Sequence, residues 1–302
     1  MENETKIKYN SASLFLITVG VVMMNIIIFG FIGRYLGRLL WSVDVQQLMI
    51  QMKEGNYDMS AANSKALLLT QVTTQIGGFL LSVLLIIQIM KRRFAEFTKL
   101  HVRPSLLWTG LALLLFICFA PILEHIVAWN ANLGIPESLD KIVKPSHELN
   151  QKVYELMLFF NDGPRLFVNL FAMALVPAFC EELLFRGLLL RIFRSMWGNI
   201  HLAIILSSVL FAIIHLQVYN IVPMIALAIL FGYTYYLTGS LWVAMLLHFI
   251  NNASVVVMLH LGVDTDSVGS TLPIALTMFA AAIVVFIYMF KKSPKTNTLS
   301  LD

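Results

Sequence analysis

The stretch LFVNLFAMALVPAFCEELLFRGLLL, residues 166–190, contains the feature that decides the fold. It is long and apolar enough to cross a bilayer, because a helix that rises 1.5 Å per residue needs about 20 apolar residues to span the hydrocarbon. Its second half nevertheless carries Glu181, Glu182 and Arg186. A charged side chain at membrane depth costs about 2.5–3.5 kcal/mol on insertion scales and usually serves a function. The stretch therefore predicts a membrane helix with a functional polar face.

The composition of the whole chain supports this interpretation. Of its 302 residues, 59% are hydrophobic and 13% are charged, and the mean hydropathy is +0.80. A soluble domain averages about 45–50% apolar and about 25% charged residues, so this excess predicts an integral membrane protein in contact with the lipid bilayer. The net charge of +4 is dispersed beside apolar runs, which argues against a nucleic-acid partner. The two cysteines, Cys118 and Cys180, lie in apolar runs and exclude a disulfide framework and a Cys-based zinc site.

Further apolar segments on both sides of this stretch predict an all-α, polytopic membrane helical bundle. Continuous apolar runs favour helices over barrel strands, which would alternate apolar and polar residues. We expect a single membrane domain over residues 1–302 with about eight transmembrane helices, of which the fifth and sixth are short. These segments run approximately from 11 to 33, 66 to 90, 105 to 127, 166 to 190, 200 to 216, 220 to 237, 240 to 260 and 272 to 290.

The distribution of Lys and Arg predicts that the N- and C-termini are cytoplasmic, in a bacterial-type plasma membrane. Two long loops, about 34–65 and 128–165, then fall on the outer side. Both have apolar residues at roughly helical spacing, which predicts amphipathic helices on the membrane surface or capping the bundle. The basic residues that this orientation collects on the inner side are Lys6, Lys8, Lys91, Arg92, Arg93, Lys99, Arg103, Arg191, Arg194, Lys291, Lys292 and Lys295.

Polar residues at membrane depth define three motifs. Glu182 and Arg186 are four residues apart, so they share one helix face and can pair. Glu181 lies about 100° around that helix and is free to meet residues of other helices. His215 ends the fifth segment, whereas His248 and Asn252 share a face of the seventh. If these helices meet, Glu181, His215, His248 and Asn252 converge on one polar cavity.

In this order on successive membrane helices, the three motifs resemble those of the CPBP family. That family contains the CaaX prenyl endopeptidases and the bacteriocin-processing or immunity proteins. The resemblance covers about residues 166–260 and marks this part as the catalytic core, with N-terminal helices and loops over 1–165 and a C-terminal helix at 272–290. The motifs are Glu181-Glu182-x-x-x-Arg186, Phe211-x-x-x-His215 and His248-x-x-x-Asn252.

The resemblance implies an intramembrane endopeptidase that hydrolyses peptide bonds of membrane-associated substrates. Glu181 would be the general base that activates a water with His215 as its partner, and His248 and Asn252 would stabilise the oxyanion. Glu182 and Arg186 would support the site. We expect no cofactor, because Asn252 suits an oxyanion donor better than a metal ligand. The alternative is zinc held by Glu181, His215 and His248, since one carboxylate and two imidazoles form a known catalytic zinc set.

Two other functions remain open for the same residues. A proton- or ion-coupled transporter also uses intramembrane Glu and His side chains, although the sequence shows no internal repeat. A non-catalytic immunity or scaffold member of the family would keep the motifs without the reaction. The identity of the substrate, its prenylation and the oligomeric state cannot be read from the sequence.

Overall fold

The computed structural model describes residues 10–159, 163–263, 270–293 and 301. Within these ranges the chain is helical and contains no β-strand, in agreement with the predicted all-α bundle. The helices are α1 (Ser11–Trp41), α2 (Val45–Glu54), α3 (Ala61–Ile89), α4 (Phe94–Phe97), α5 (Leu106–Ala131), α6 (Glu137–Leu158), α7 (Pro164–Trp197), α8 (Ile200–Ile214), α9 (Ile221–Thr238), α10 (Leu241–His260) and α11 (Leu272–Lys292).

Seven of the described helices are long and apolar enough to cross a membrane, which makes the chain an integral multi-pass membrane protein. They are α1, α3, α5, α7, α9, α10 and α11. The fifth predicted segment corresponds to α8, which has 15 residues and is shorter than the others. Asn199 caps its N-terminus by accepting hydrogen bonds from the amides of His201 and Leu202, and the backbone turns into the left-handed region at Leu216.

Helix α1 continues well past the predicted end at residue 33, because small residues let it pack closely against α3. A Cβ atom added at Gly33 would lie 2.7 Å from the Cα atom of Thr70, and one at Gly37 would lie 3.1 Å from the Cβ atom of Ala66. Such small-residue contacts allow two membrane helices to approach backbone to backbone. The helix ends at Trp41, where Ser42 adopts a left-handed conformation. The apolar residues at 39–40 therefore belong to α1 and not to an amphipathic loop helix.

Helices α3 and α7 contain wider π-helical turns. These turns are Gln75–Leu81 in α3, and Leu170–Leu175 and Leu183–Leu189 in α7. Single π turns inside α-helices are rare and occur frequently at functional sites. Two of the three begin within two residues of side chains that meet in the centre of the bundle: Gln75, Glu181 and Glu182.

The two amphipathic helices predicted between membrane segments are α2 and α6, and they pack together at one end of the bundle. Leu48 and Met52 of α2 share a buried apolar cluster with Leu156 and Met157 of α6. The Lys152 ammonium also donates a 2.8 Å hydrogen bond to the Met52 carbonyl. These contacts hold α6 against the bundle, and its position relative to the membrane surface stays a prediction.

The orientation in the membrane stays a prediction. Among the basic residues on which it depends, Lys6, Lys8 and Lys295 lie outside the described residues.

Candidate active site

Helices α7, α8 and α10 bring three of the predicted site residues together. Oε2 of Glu181 lies 3.9 Å from Nε2 of His215 and 3.7 Å from Nε2 of His248. Glu181 and His248 are buried, whereas the side chain of His215 is 24% exposed. Both separations are too long for a direct hydrogen bond but short enough for one water molecule to bridge the groups.

Glu182 has a different environment from its neighbour. Its Oε1 atom accepts hydrogen bonds from Nη1 of Arg186 at 2.7 Å and from Nδ1 of His248 at 2.9 Å. Nη2 of Arg186 donates to the Ala228 carbonyl on α9, also at 2.7 Å. Glu182 and Arg186 are both fully buried. The predicted pair is therefore formed, and it ties α7 to α9 and α10.

The hydrogen bonds of the two imidazoles determine which ring nitrogen faces Glu181. Nδ1 of His215 lies 2.7 Å from the Phe211 carbonyl oxygen, which can only accept, so this nitrogen carries a hydrogen. By the same argument, Nδ1 of His248 donates to Glu182. Nε2 is thus the free nitrogen of both rings, and in both it is the one directed at Oε2 of Glu181. Phe231 stacks on the His248 ring at 5.3 Å and helps to fix its plane.

Asn252, the fourth predicted residue, lines the same cavity as Glu181. Its Oδ1 atom accepts a 3.2 Å hydrogen bond from Nδ2 of Asn251. The amide NH₂ group of Asn252 is then the end that remains available to donate to a ligand. Because His248 is one helical turn away on the same face of α10, both side chains can donate hydrogen bonds to the same acceptor atom.

The cavity has a volume of about 740 Å³ and lies among α3, α5, α6, α7, α8, α9 and α10. Much of its wall is apolar, as is usual for ligand-binding cavities. Neutral amides and one phenol supply further polar groups besides the site residues. They belong to Gln71, Gln75, Asn150, Tyr154, Gln217, Asn220 and Asn251.

Sequence reasoning missed Gln75, which lies on α3 and is buried. Its Nε2 atom donates a 2.8 Å hydrogen bond to Oε1 of Glu181. The signal that could have found it is an uncharged amide at membrane depth, since such groups usually need a partner there. Glu181 therefore meets residues of other helices, as the sequence predicted, and Gln75 is one of them.

Observations on both sides bear on the zinc alternative. The rings do offer free Nε2 atoms, and their Nδ1 atoms are held by a carbonyl and a carboxylate, as is usual for metal-bound histidines. However, no group of three His, Cys, Asp or Glu side chains in the described parts of the chain is placed to hold a metal ion. The separations of 3.7 and 3.9 Å from Glu181 are also wider than ligands about 2.0–2.2 Å from one tetrahedral zinc ion would show.

Comparison with known protein families gives a match that includes all three motifs. Residues 163–254 match the family model described as Type II CAAX prenyl endopeptidase Rce1-like. Neither a curated protein nor a solved structure shows significant similarity to the chain. The match confirms the family resemblance drawn from the motifs and supports an intramembrane protease of the CAAX type. Residues 163–254 of this membrane protein are therefore similar to the Rce1-like CAAX prenyl endopeptidases.

Proposed function

We propose that the protein is an intramembrane endopeptidase in which Glu181 activates a water molecule for attack on a peptide bond of a membrane-associated substrate. The observation that carries this proposal is the gap between Oε2 of Glu181 and Nε2 of His215 and His248, at 3.9 and 3.7 Å. A water molecule in this gap would touch a carboxylate base inside a cavity large enough for an extended peptide.

In the proposed reaction, Glu181 accepts a proton from the water as its oxygen attacks the carbonyl carbon of the scissile bond. His215 orients the water through Nε2, because its Nδ1 atom is held by the Phe211 carbonyl. The tetrahedral intermediate then collapses as the carbon–nitrogen bond breaks, and the proton passes from Glu181 to the leaving amine. The products are a carboxylic acid and an amine, so no further reactant is needed.

His248 and Asn252 are proposed to donate hydrogen bonds to the oxyanion of the intermediate. Nδ1 of His248 donates to Glu182, so Nε2 can donate as well only when the ring carries both protons. In this proposal Glu182 accepts the hydrogen bond from Nδ1 of His248 and so orients the ring of the oxyanion donor.

The place of the protein in the membrane completes the proposal. We infer that both termini face the cytoplasm of a bacterial-type plasma membrane, and that substrates enter the cavity from the bilayer. The apolar wall of the cavity accommodates apolar residues of the substrate, and the neutral amides can bind its backbone.

The direct test uses purified full-length protein in detergent and two internally quenched peptides. One carries a prenylated cysteine four residues from its C-terminus, and the other has the same sequence without the prenyl group. We expect cleavage of at least one peptide by the wild type and none by Glu181→Ala with an unchanged thermal midpoint. A wild type that cleaves neither, or an equally active Glu181→Ala variant, would contradict the proposal and favour a transporter or a non-catalytic family member.

The same assay tests the proposed independence from metal. Since the described side chains are not placed to hold an ion, we expect turnover to survive incubation with 1,10-phenanthroline or EDTA. Loss of activity with the chelator, restored by added Zn²⁺, would show instead that zinc takes part.

A further inference from the structure

Gln75 contacts the candidate site from outside the region that matches the family. It lies on α3, whereas the match covers residues 163–254. Its Nε2 atom donates to Oε1 of Glu181 at 2.8 Å, and its side chain is only 8% exposed. Because a carboxylate can only accept, the amide nitrogen must be the end of Gln75 that faces Glu181.

This hydrogen bond bears on the direction in which Glu181 presents its second oxygen. The terminal torsion of a glutamate is soft, so an unrestrained carboxylate would turn its plane over a wide range of angles. With one oxygen held by Gln75, the other stays 3.7 Å from His248 and 3.9 Å from His215. The hydrogen bond from Gln75 therefore restrains the plane of the carboxylate and keeps one oxygen directed at the imidazoles.

The backbone around Gln75 is held in place by α1. A Cβ atom at Gly77 would lie 1.8 Å from Cγ of Phe29, so only glycine allows α1 to approach this closely. Nearby, Nδ2 of Asn25 donates to Oγ of Ser82 at 2.9 Å, and Ser82 in turn donates to the Gly78 carbonyl at 2.6 Å. The π turn that begins at Gln75 thus packs closely against α1, and the residue that follows it is hydrogen-bonded to α1.

We propose that Gln75 is a positioning residue of the endopeptidase site, which fixes the Glu181 carboxylate so that Oε2 faces the attacking water. The inference rests on the proposed function and adds to it a residue from α3. It implies that the catalytic geometry depends on helices of the N-terminal part of the chain as well as on the three motifs.

The test is Gln75→Met, which keeps the length of the side chain and removes the hydrogen-bond donor. A hydrogen bond to a charged group contributes about 1.5–3 kcal/mol, so we expect kcat to fall about 10- to 100-fold. KM should stay within about twofold, because the bond orients the base rather than the substrate. The matched control is Gln88→Met, the same substitution on an exposed part of α3, which should leave both constants unchanged.

A second variant guards against a loss of folding in Gln75→Met. Gln75→Asn keeps the amide but withdraws it by one methylene group, so kcat should again fall while the thermal midpoint stays close to that of the wild type. Wild-type kcat in both variants, with cleavage still abolished in Glu181→Ala, would overturn the role of Gln75 alone. Cleavage that does not need Glu181 would overturn the proposed function together with this inference.

Discussion

Glu181 and Glu182 are adjacent in the sequence and both are buried, yet the structure places them in opposite electrostatic situations. Oε1 of Glu182 accepts hydrogen bonds from Arg186 and from His248, at 2.7 and 2.9 Å. Glu181 has a neutral amide on one oxygen at 2.8 Å and a gap of 3.7 Å or more between its other oxygen and each imidazole. One carboxylate has its charge compensated by contact, and the other faces a cavity.

The difference shows how two identical side chains can have different tasks one residue apart. A buried carboxylate in contact with a cation contributes to the packing of helices, and removing its partner leaves an uncompensated charge. A carboxylate beside a cavity has an oxygen available for a reacting molecule. We therefore expect substitutions around Glu182 to change stability first, and substitutions around Glu181 to change catalysis first.

The largest expected effect is on stability, from Arg186→Met. Arg186 is fully buried and bonded to Glu182 and to the Ala228 carbonyl, so its loss leaves Glu182 without its main counter-ion. Breaking a buried pair in this way costs about 3–5 kcal/mol. Thermal unfolding of the purified protein should show a clearly lowered midpoint.

The control for this variant is Arg38→Met. The side chain of Arg38 is 74% exposed and lies 3.9 Å from Asp44, and an exposed pair of this kind contributes about 0–1 kcal/mol. Equal midpoints for the two variants would show that the buried pair does not stabilise the bundle. This result would contradict the structural role assigned to Glu182.

The next effect is on catalysis, from Asn252→Ala. Removing one donor from an oxyanion site typically lowers kcat by about 10²–10³. Because Asn252 lines the cavity and its described bond is to Asn251, the thermal midpoint should change little. Peptide cleavage and unfolding measured on the same preparation check both parts. A normal kcat would remove Asn252 from the proposed mechanism.

The smallest effect concerns Tyr154 on the capping helix α6. Desolvation at the cavity wall, and secondarily the negative charge of Glu181, raise the pKa of the Tyr154 phenol. Glu181→Gln removes the second cause, so Tyr154 should titrate at a lower pH in that variant. Alkaline absorbance titration, with the signal of Tyr154 obtained by subtracting the matching Tyr154→Phe protein, measures this shift. The pKa of Tyr154 in Glu182→Gln should match that of the wild type. A shift as large as that in Glu181→Gln would contradict the proposal that only Glu181 faces the cavity.

The sequence predicted the membrane bundle and the meeting of three motifs from strong, local signals. Charged side chains in an apolar run stand out, and the spacing of Glu182 and Arg186 specified the pair that forms. The contribution of α3 could not be predicted in this way. Gln75 is uncharged and is separated from Glu181 by 106 positions along the chain, so only the packing of α3 against α7 shows the contact.

The helix that packs against α6 and the π turns also lay beyond sequence reasoning. An amphipathic pattern shows that one face of α6 is apolar, but it does not specify which part of the protein packs against that face. The packing against α2 depends on contacts such as the hydrogen bond from Lys152 to the Met52 carbonyl, which joins distant parts of the chain. The π turns depend on the packing of neighbouring helices, as Gly77 against Phe29 illustrates.

The most direct test of the central claim is a side-by-side measurement of peptide cleavage and thermal unfolding for Glu181→Gln and Glu182→Gln. For Glu181→Gln, the account predicts that cleavage falls by about 10²–10⁴, the range assigned to general-base catalysis. Its midpoint should stay within about 2 °C of the wild type, a change in the free energy of unfolding of about 1 kcal/mol in a chain of this size. For Glu182→Gln, the midpoint should fall by more than this. A Glu181→Gln protein that cleaves normally, or that unfolds as easily as Glu182→Gln, would contradict the division of tasks between the two carboxylates.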